Sequence, residues 1–179
     1  LAELDVDGYL IDADSADADQ YYLSGFDAPD PFLTLYDGSV RLLFTRSLEY
    51  GRAVRESRAE TVERFTDYGY DDLLDDHDRT AAAHRVRARF LDAHGVEDVA
   101  VPARFPLQTA DGLREQGVSV VTDSDTVTEI RAVKTDEEVE HVRATQRANE
   151  AAMRAAEDLL ARADRDGDRL RVDGEVLTS

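Results

Sequence analysis

Twice between Arg79 and Val121 the sequence passes through an amphipathic helical stretch, a glycine and then a short valine-rich run. Arg79–His94 places Ala82, Val86, Phe90 and Ala93 at helical spacing, with Gly95 just past the end and His94 in the last turn, where it suits the helix dipole. Val99–Val101 then reads as a buried strand ended by Pro102. Leu107–Gln116 is a second helix stopped at Gly117, and Val118–Val121 is the next strand. Strands joined through helices pair in parallel, because only a long crossover brings the chain back to the same edge.

The first half carries the opposite signal. Phe32–Tyr36 and Val40–Thr45 are apolar runs joined by Asp37-Gly38-Ser39, an antiparallel hairpin in which the glycine supplies positive φ. Gly8–Asp12 reads as a short buried strand, and Asp14–Leu23 as a helix stopped by Ser24-Gly25. Ser47 is the expected N-cap of a helix running to about Arg58, Thr61–Phe65 alternates like a strand, and Asp71–Asp76 is a short acidic helical turn or loop. Together these predict an α/β fold, a mixed β-sheet with helices on both faces. Residues 1–131 form this first domain and residues 132–179 a second region. There Thr135 and Glu138 make a capping box that opens a helix to about Ala163, carrying Val139, Val142, Met153, Leu159 and Leu160. Asp164–Ser179 is polar and is expected to contain no core-forming element. A long helix followed by such a tail is what a chain cut from a longer protein would show.

Forty acidic residues face 21 basic ones, a net charge of −19, and Lys134 is the one lysine. Such a surface repels nucleic acid and anionic membrane alike, so neither is an expected partner. The acid could form an interaction surface, or it could be adaptation to a salt-rich cytoplasm, where carboxylates hold water and salt screens their repulsion. It is spread from Asp5 to Asp173 and lysine is nearly absent, which favours salt adaptation and a halophilic archaeal source. On that reading the unfolding midpoint falls as salt is lowered from molar to millimolar; a midpoint that stays put would refute it. There is no cysteine, hence no disulfide, thiolate nucleophile or thiolate-bound zinc. No apolar run is long enough to span a membrane and no signal-peptide pattern opens the chain, so the expected location is cytoplasmic.

Candidate chemistry is sparse. His77 lies in Asp75-Asp76-His77-Asp78, but neighbouring side chains on one segment diverge, and His84 shares its face only if the helix starts before Arg79. His94 is expected at a helix end and His141 on an exposed face. Asp164, Asp166, Asp168 and Glu175 mimic a calcium loop that fails where Arg169 replaces the required glycine. Ser24 lacks the flanking glycine of a nucleophile elbow. Arg85, Arg87 and Arg89 could grip a carboxylate or phosphate, although Arg87 leaves the helix face that the other two share; pairing with local acids is the expected arrangement. No catalytic, cofactor-binding or metal-binding residue is assigned.

Three stretches in order carry a resemblance. Tyr21-Tyr22-Leu23-Ser24-Gly25-Phe26, the hairpin followed by Thr45–Ala53, and Ile130-Arg131-Ala132-Val133-Lys134-Thr135-Asp136-Glu137-Glu138-Val139 resemble the N-terminal domain of the creatinase/prolidase family and its I-R-x-[IV]-K-[ST]-x-x-E junction. The resemblance implies a ribonuclease-H-like α/β layer without nuclease carboxylates, followed by a long helix that begins a pita-bread catalytic domain. It implies a parent that hydrolyses short Xaa-Pro peptides with two divalent metal ions (Mn, Co or Zn), all of whose ligands lie downstream, and a homodimer in which this domain overhangs the neighbour's entrance. Tyr22, Phe26 and the loop from Asp27 to Asp30 are then the candidates for the entrance rim, with a core role as the alternative for the two aromatic rings. A creatinase-type amidinohydrolase and a catalytically inactive protein-binding module of the same fold are the rival readings. Lys134 is expected to serve the domain hinge.

Overall fold

The sheet is built by alternation. In the computed structural model, which describes residues 4–45, 48–123 and 126–177, β1 (Gly8–Ala13) turns Leu10 to one side and Tyr9 and Ile11 to the other. Helix α1 (Ala18–Ser24) follows, then the hairpin of β2 (Phe32–Tyr36) and β3 (Val40–Phe44), helix α2 (Tyr50–Glu56) and β4 (Thr61–Arg64). A 3-10 turn (Phe65–Tyr68) leads into α3 (Tyr70–Asp76) and α4 (Arg79–Ala93). After these come β5 (Asp98–Val101), α5 (Leu107–Glu115), β6 (Ser119–Thr122) and α6 (Thr126–Ala132). The six strands form one sheet in the order β4-β3-β2-β1-β5-β6. Pairing is antiparallel for β1/β2 and β2/β3 and parallel for β3/β4, β1/β5 and β5/β6. This is the mixed α/β sheet the sequence predicts.

Both faces are covered. Leu10, Leu33, Leu35, Leu43, Val99 and Val101 pack with Val86, Phe90 and Leu91 of α4 and with Ala110 and Leu113 of α5. On the opposite face Phe26, Phe32, Leu42, Phe44 and Ala53 form one cluster, and Tyr9, Ile11, Ala100 and Val127 another. Each fully buried Leu or Phe contributes roughly 1.5–3 kcal/mol of transfer free energy, and both faces of the sheet carry several such residues.

Local chemistry moves several boundaries. Helix α1 starts at Ala18 because Asp17, not Asp14, is the cap: its carboxylate accepts from the backbone N–H groups of Asp19 and Gln20, while Asp14 accepts from Ala16 in a separate turn. Ser47 lies outside the described residues, and α2 begins at Tyr50. In α4 the fourth buried position is Leu91, and Ala93, predicted on the apolar side, is exposed. Gly95, at φ +69°, takes the left-handed conformation expected after the helix. Strand β6 starts one residue later than the valine run. Helix α6 has no counterpart in the sequence reading; Val127 is its buried anchor.

The chain divides into two compact units, Leu1–Ala132 and Val133–Ser179. In the second, α7 (Asp136–Ala161) opens with the expected capping box, Thr135 accepting from the Glu138 N–H and Glu138 accepting from the Thr135 N–H. None of its residues is buried. In the tail, which the sequence reading gave no secondary structure, β7 (Asp164–Asp166), β8 (Arg169–Val172) and β9 (Glu175–Val176) form a small antiparallel meander with no buried residue, turned at Gly167 and Gly174. Polar alternation hides such strands, because they bury no apolar face. No described helix is long and apolar enough to cross a membrane.

Candidate functional site

In an α/β sheet, ligands bind outside the carboxyl ends of the strands, where successive connections leave on opposite faces. Here that point lies between β1 and β5. The chain leaving β1 enters α1, whose Tyr22 and Leu23 pack on the Tyr9 and Ile11 side. The chain leaving β5 enters α5, whose Ala110 and Leu113 pack on the Leu10 side. Charge pairs occupy the ground between them. Arg104, just past β5, donates through Nη2 to Asp17 Oδ1 at 2.7 Å, through Nε to Asp17 Oδ2, and through Nη2 to Asp19. Arg131 of α6 donates through Nη1 to Asp19 Oδ1 at 2.6 Å. The Asp19 side chain is only 4 % exposed. Both carboxylates are thus engaged by guanidinium groups and, for Asp17, by two backbone N–H groups as well.

The electrostatics follow. The hydrogen bond from Arg104 holds the Asp17 carboxyl below its ordinary value, outweighing the burial that acts the other way. A depressed carboxyl pKa stabilises the fold above the unfolded value of 3.8, and that contribution disappears as pH falls through the folded value. The wild-type chain should therefore lose stability on acidification below about pH 4 more steeply than Asp17→Asn; parallel denaturation curves over that range would contradict the assignment.

The residues singled out in the sequence separate in space. Phe26 is 1 % exposed and packs against Phe32 and Phe44 with ring centroids 6.0 and 5.9 Å away, while the Arg52 guanidinium covers its ring at 5.1 Å. Its ring is a core anchor and offers no surface to an entrance, a correction to its place among the rim candidates. Tyr22 is half-buried and lines an apolar hollow of about 210 Å³ with Tyr9, Leu23, Tyr36, Val127 and Ile130. Ser24 is buried, donating to the Gln20 carbonyl at 2.7 Å and accepting from the Phe26 N–H at 3.1 Å, so its hydroxyl ends α1 and attacks nothing. Gly25 closes the helix in the left-handed conformation, and a Cβ there would meet the Arg58 side chain at 2.7 Å.

His94 Nε2 lies 2.9 Å from Glu63 Oε1, and Glu63 also accepts from the Tyr68 hydroxyl, whose proton burial holds more tightly than usual. Among the described residues no three His, Asp or Glu side chains are grouped to hold a metal ion, so the described donors do not fit the metal pair that the resemblance implies for its parent. Arg85 and Arg89 donate to the backbone carbonyls of Ala81 and Tyr68, and among the described residues Arg87 is the one of the three that pairs with a carboxylate, that of Asp12 at 3.5 Å. The expected local acids are therefore not what the trio engages. Sequence reasoning missed the Asp17–Arg104–Asp19–Arg131 network. Its signals were a capping aspartate and the arginine of the Ile130–Val139 motif, but Arg104 stands 87 positions from Asp17.

Comparison with known proteins agrees with this architecture. Residues 1–145 match the family model of the creatinase/prolidase N-terminal domain. A search among curated proteins finds no match. Among solved structures, prolidase from Pyrococcus furiosus is similar at 20 % identity and a TM-score of 0.57, covering 94 % of this chain and 45 % of its own. X-Pro aminopeptidase from Thermotoga maritima MSB8 is similar at 20 % identity and 0.62, covering 92 % and 43 %. An Xaa-Pro aminopeptidase from Streptococcus pyogenes aligns at 16 % identity and 0.51, covering 72 % and 86 %. At these identities the structural likeness establishes the fold, and the chain spans less than half the length of the first two. With the family model matching four-fifths of its length, the chain belongs to the creatinase/prolidase N-terminal domain family.

Proposed function

We propose that this chain is the non-catalytic N-terminal domain of a metal-dependent Xaa-Pro dipeptidase or aminopeptidase, where it serves homodimerisation and restricts substrate access. The observation that carries the reading is the crevice between β1 and β5, filled by Arg104 and Arg131 on buried or capping aspartates. A domain whose usual ligand position is closed in this way contributes architecture to a reaction performed elsewhere. The two divalent metal ions would be held by residues of the catalytic domain, the substrates would be short proline-containing peptides, and Tyr22 with the loop from Asp27 to Asp30 would form the rim that limits their length. The structural likeness to peptidases more than twice as long supports this division of labour.

The test compares two proteins. The purified 179-residue chain with added manganese or cobalt should release no proline from an Xaa-Pro dipeptide above a buffer blank. The product of the complete gene should release it and lose activity to a chelator. Turnover by this chain alone, or a complete product inactive on Xaa-Pro peptides, would overturn the proposal; urea release from creatine would transfer the parent to the amidinohydrolase branch.

A further inference from the structure

The net charge of −19 makes any concentration of cationic and hydrogen-bond-donating groups conspicuous, and one occurs on the opposite side of β1 from the filled crevice. Helices α4 and α5 each lead through a short turn into a parallel strand, so both begin at the carboxyl edge of the sheet. Between their first turns lies a hollow of about 230 Å³ whose lining includes Arg79, His84, Arg87, Gln108 and Thr109. The helices approach closely because residue 112 is glycine: a Cβ there would lie 2.1 Å from His84 Nδ1, so only glycine leaves the imidazole room against α5.

Three observations say that this hollow is built for an anion. Arg87 is largely withdrawn from water, its side chain 14 % exposed, yet its guanidinium is incompletely used. Its Nη2 reaches Asp12 only at 3.5 Å, and its Nε is buried without a hydrogen-bond partner among the described residues. The guanidinium is thus under-satisfied, and an anion in the hollow would supply acceptors to those of its N–H groups that remain accessible. The two helix starts also differ. Asp78 caps α4 by accepting from the Thr80 and Ala81 N–H groups, so that terminus already has its carboxylate. At α5 the cap position is Pro106, which makes no side-chain capping hydrogen bond, and the first turn contains Gln108 and Thr109. Finally, Asp12 at the end of β1 accepts from Thr109 Oγ1 at 2.8 Å, so this carboxylate is engaged.

We propose that this hollow binds a phosphate group, held by Arg79 and Arg87, with Gln108 and the uncapped first turn of α5 as further donors and His84 as a proton-sensitive neighbour. Tetrahedral oxygens match two guanidinium groups and a helix start better than a planar carboxylate does. The site is independent of any peptidase role, since it uses the α4/α5 face and none of the residues in the filled crevice.

His84 is the reporter. Burial and the neighbouring Arg87 and Arg85 charges hold its pKa below the usual 6.5, while Glu115 and Asp78 oppose them. A bound phosphate adds negative charge and moves it upward. Inorganic phosphate titrated into the full chain, with its histidine ring signals followed by NMR at constant ionic strength, should shift His84 saturably and raise its pKa, leaving His141 unchanged. Arg79→Ala, at the exposed mouth, should weaken binding about tenfold, and Arg87→Met should abolish the saturable shift. Because Arg87→Met removes a buried group and can unfold the chain, Arg79→Ala decides the matter if it does. Sulfate giving a similar shift supports an oxyanion site. Equal response to potassium chloride at matched ionic strength, equal affinity for acetate, or unchanged phosphate affinity in Arg79→Ala would overturn the proposal.

Discussion

Replacing Phe26 with alanine is expected to lower the unfolding free energy by about 3–5 kcal/mol, the usual loss for a fully buried phenylalanine. The ring meets Phe32 and Phe44 edge-on, those two stack at 5.0 Å, and Arg52 lies over its face. Truncation therefore removes transfer free energy, leaves a cavity, and costs two aromatic contacts of roughly 0.5–1.5 kcal/mol each within that total. A side chain on an entrance rim would behave otherwise, since surface substitutions usually change stability by less than about 0.5 kcal/mol. Chemical denaturation of the variant distinguishes the two roles, and a loss below 1 kcal/mol would return Phe26 to the rim.

Asp19→Ala is the second large effect, expected at about 2–4 kcal/mol. One buried carboxylate connects α1 to the segment after β5 through Arg104 and to α6 through Arg131. Hydrogen bonds to charged groups contribute about 1.5–3 kcal/mol each. Arg104 is half-exposed and Arg131 a third exposed, so both recover water when the carboxylate is gone and the sum is discounted accordingly. Asp19→Asn, which keeps the shape and an acceptor, should lose about half as much. A double-mutant cycle with Arg104→Ala should show strong non-additivity; additive losses would mean that the two residues stabilise the fold separately.

Much of the fold could be read directly. The Asp37-Gly38-Ser39 turn, the valine runs around Val99 and Val120, and the spacing of Ala82, Val86 and Phe90 are short-range signals, and each element they mark is present. What was lost depended on distance or on missing contrast. Helix α6 has a single buried residue, Val127, so no apolar stripe announces it. The meander from Asp164 to Val176 has polar residues on most of its positions. Phe26 sits beside exposed Asp27 in a stretch, Ser24 to Ala28, whose burial alternates residue by residue, and only the sheet beneath it decides that its ring turns inward. The candidate site was least legible of all. Helix spacing already set Arg87 apart from Arg85 and Arg89, but its partner Asp12 on β1, 75 positions earlier, is not a short-range signal.

The unburied α7 has a consequence for measurement. All thirteen tyrosines and phenylalanines precede residue 106, so aromatic absorption, fluorescence and near-ultraviolet dichroism report on the first unit alone. The 26-residue helix α7 contributes a large share of the far-ultraviolet helical signal, yet none of its residues is buried, and its own support is its capping box, alanine content and pairs such as Arg143–Glu140 and Arg154–Glu150. Such a helix melts gradually, whereas the sheet domain melts as a cooperative unit. The chain therefore carries two spectroscopic clocks, aromatic signals timing the first unit and ellipticity timing both, so a midpoint taken from ellipticity is not that of the sheet domain by itself.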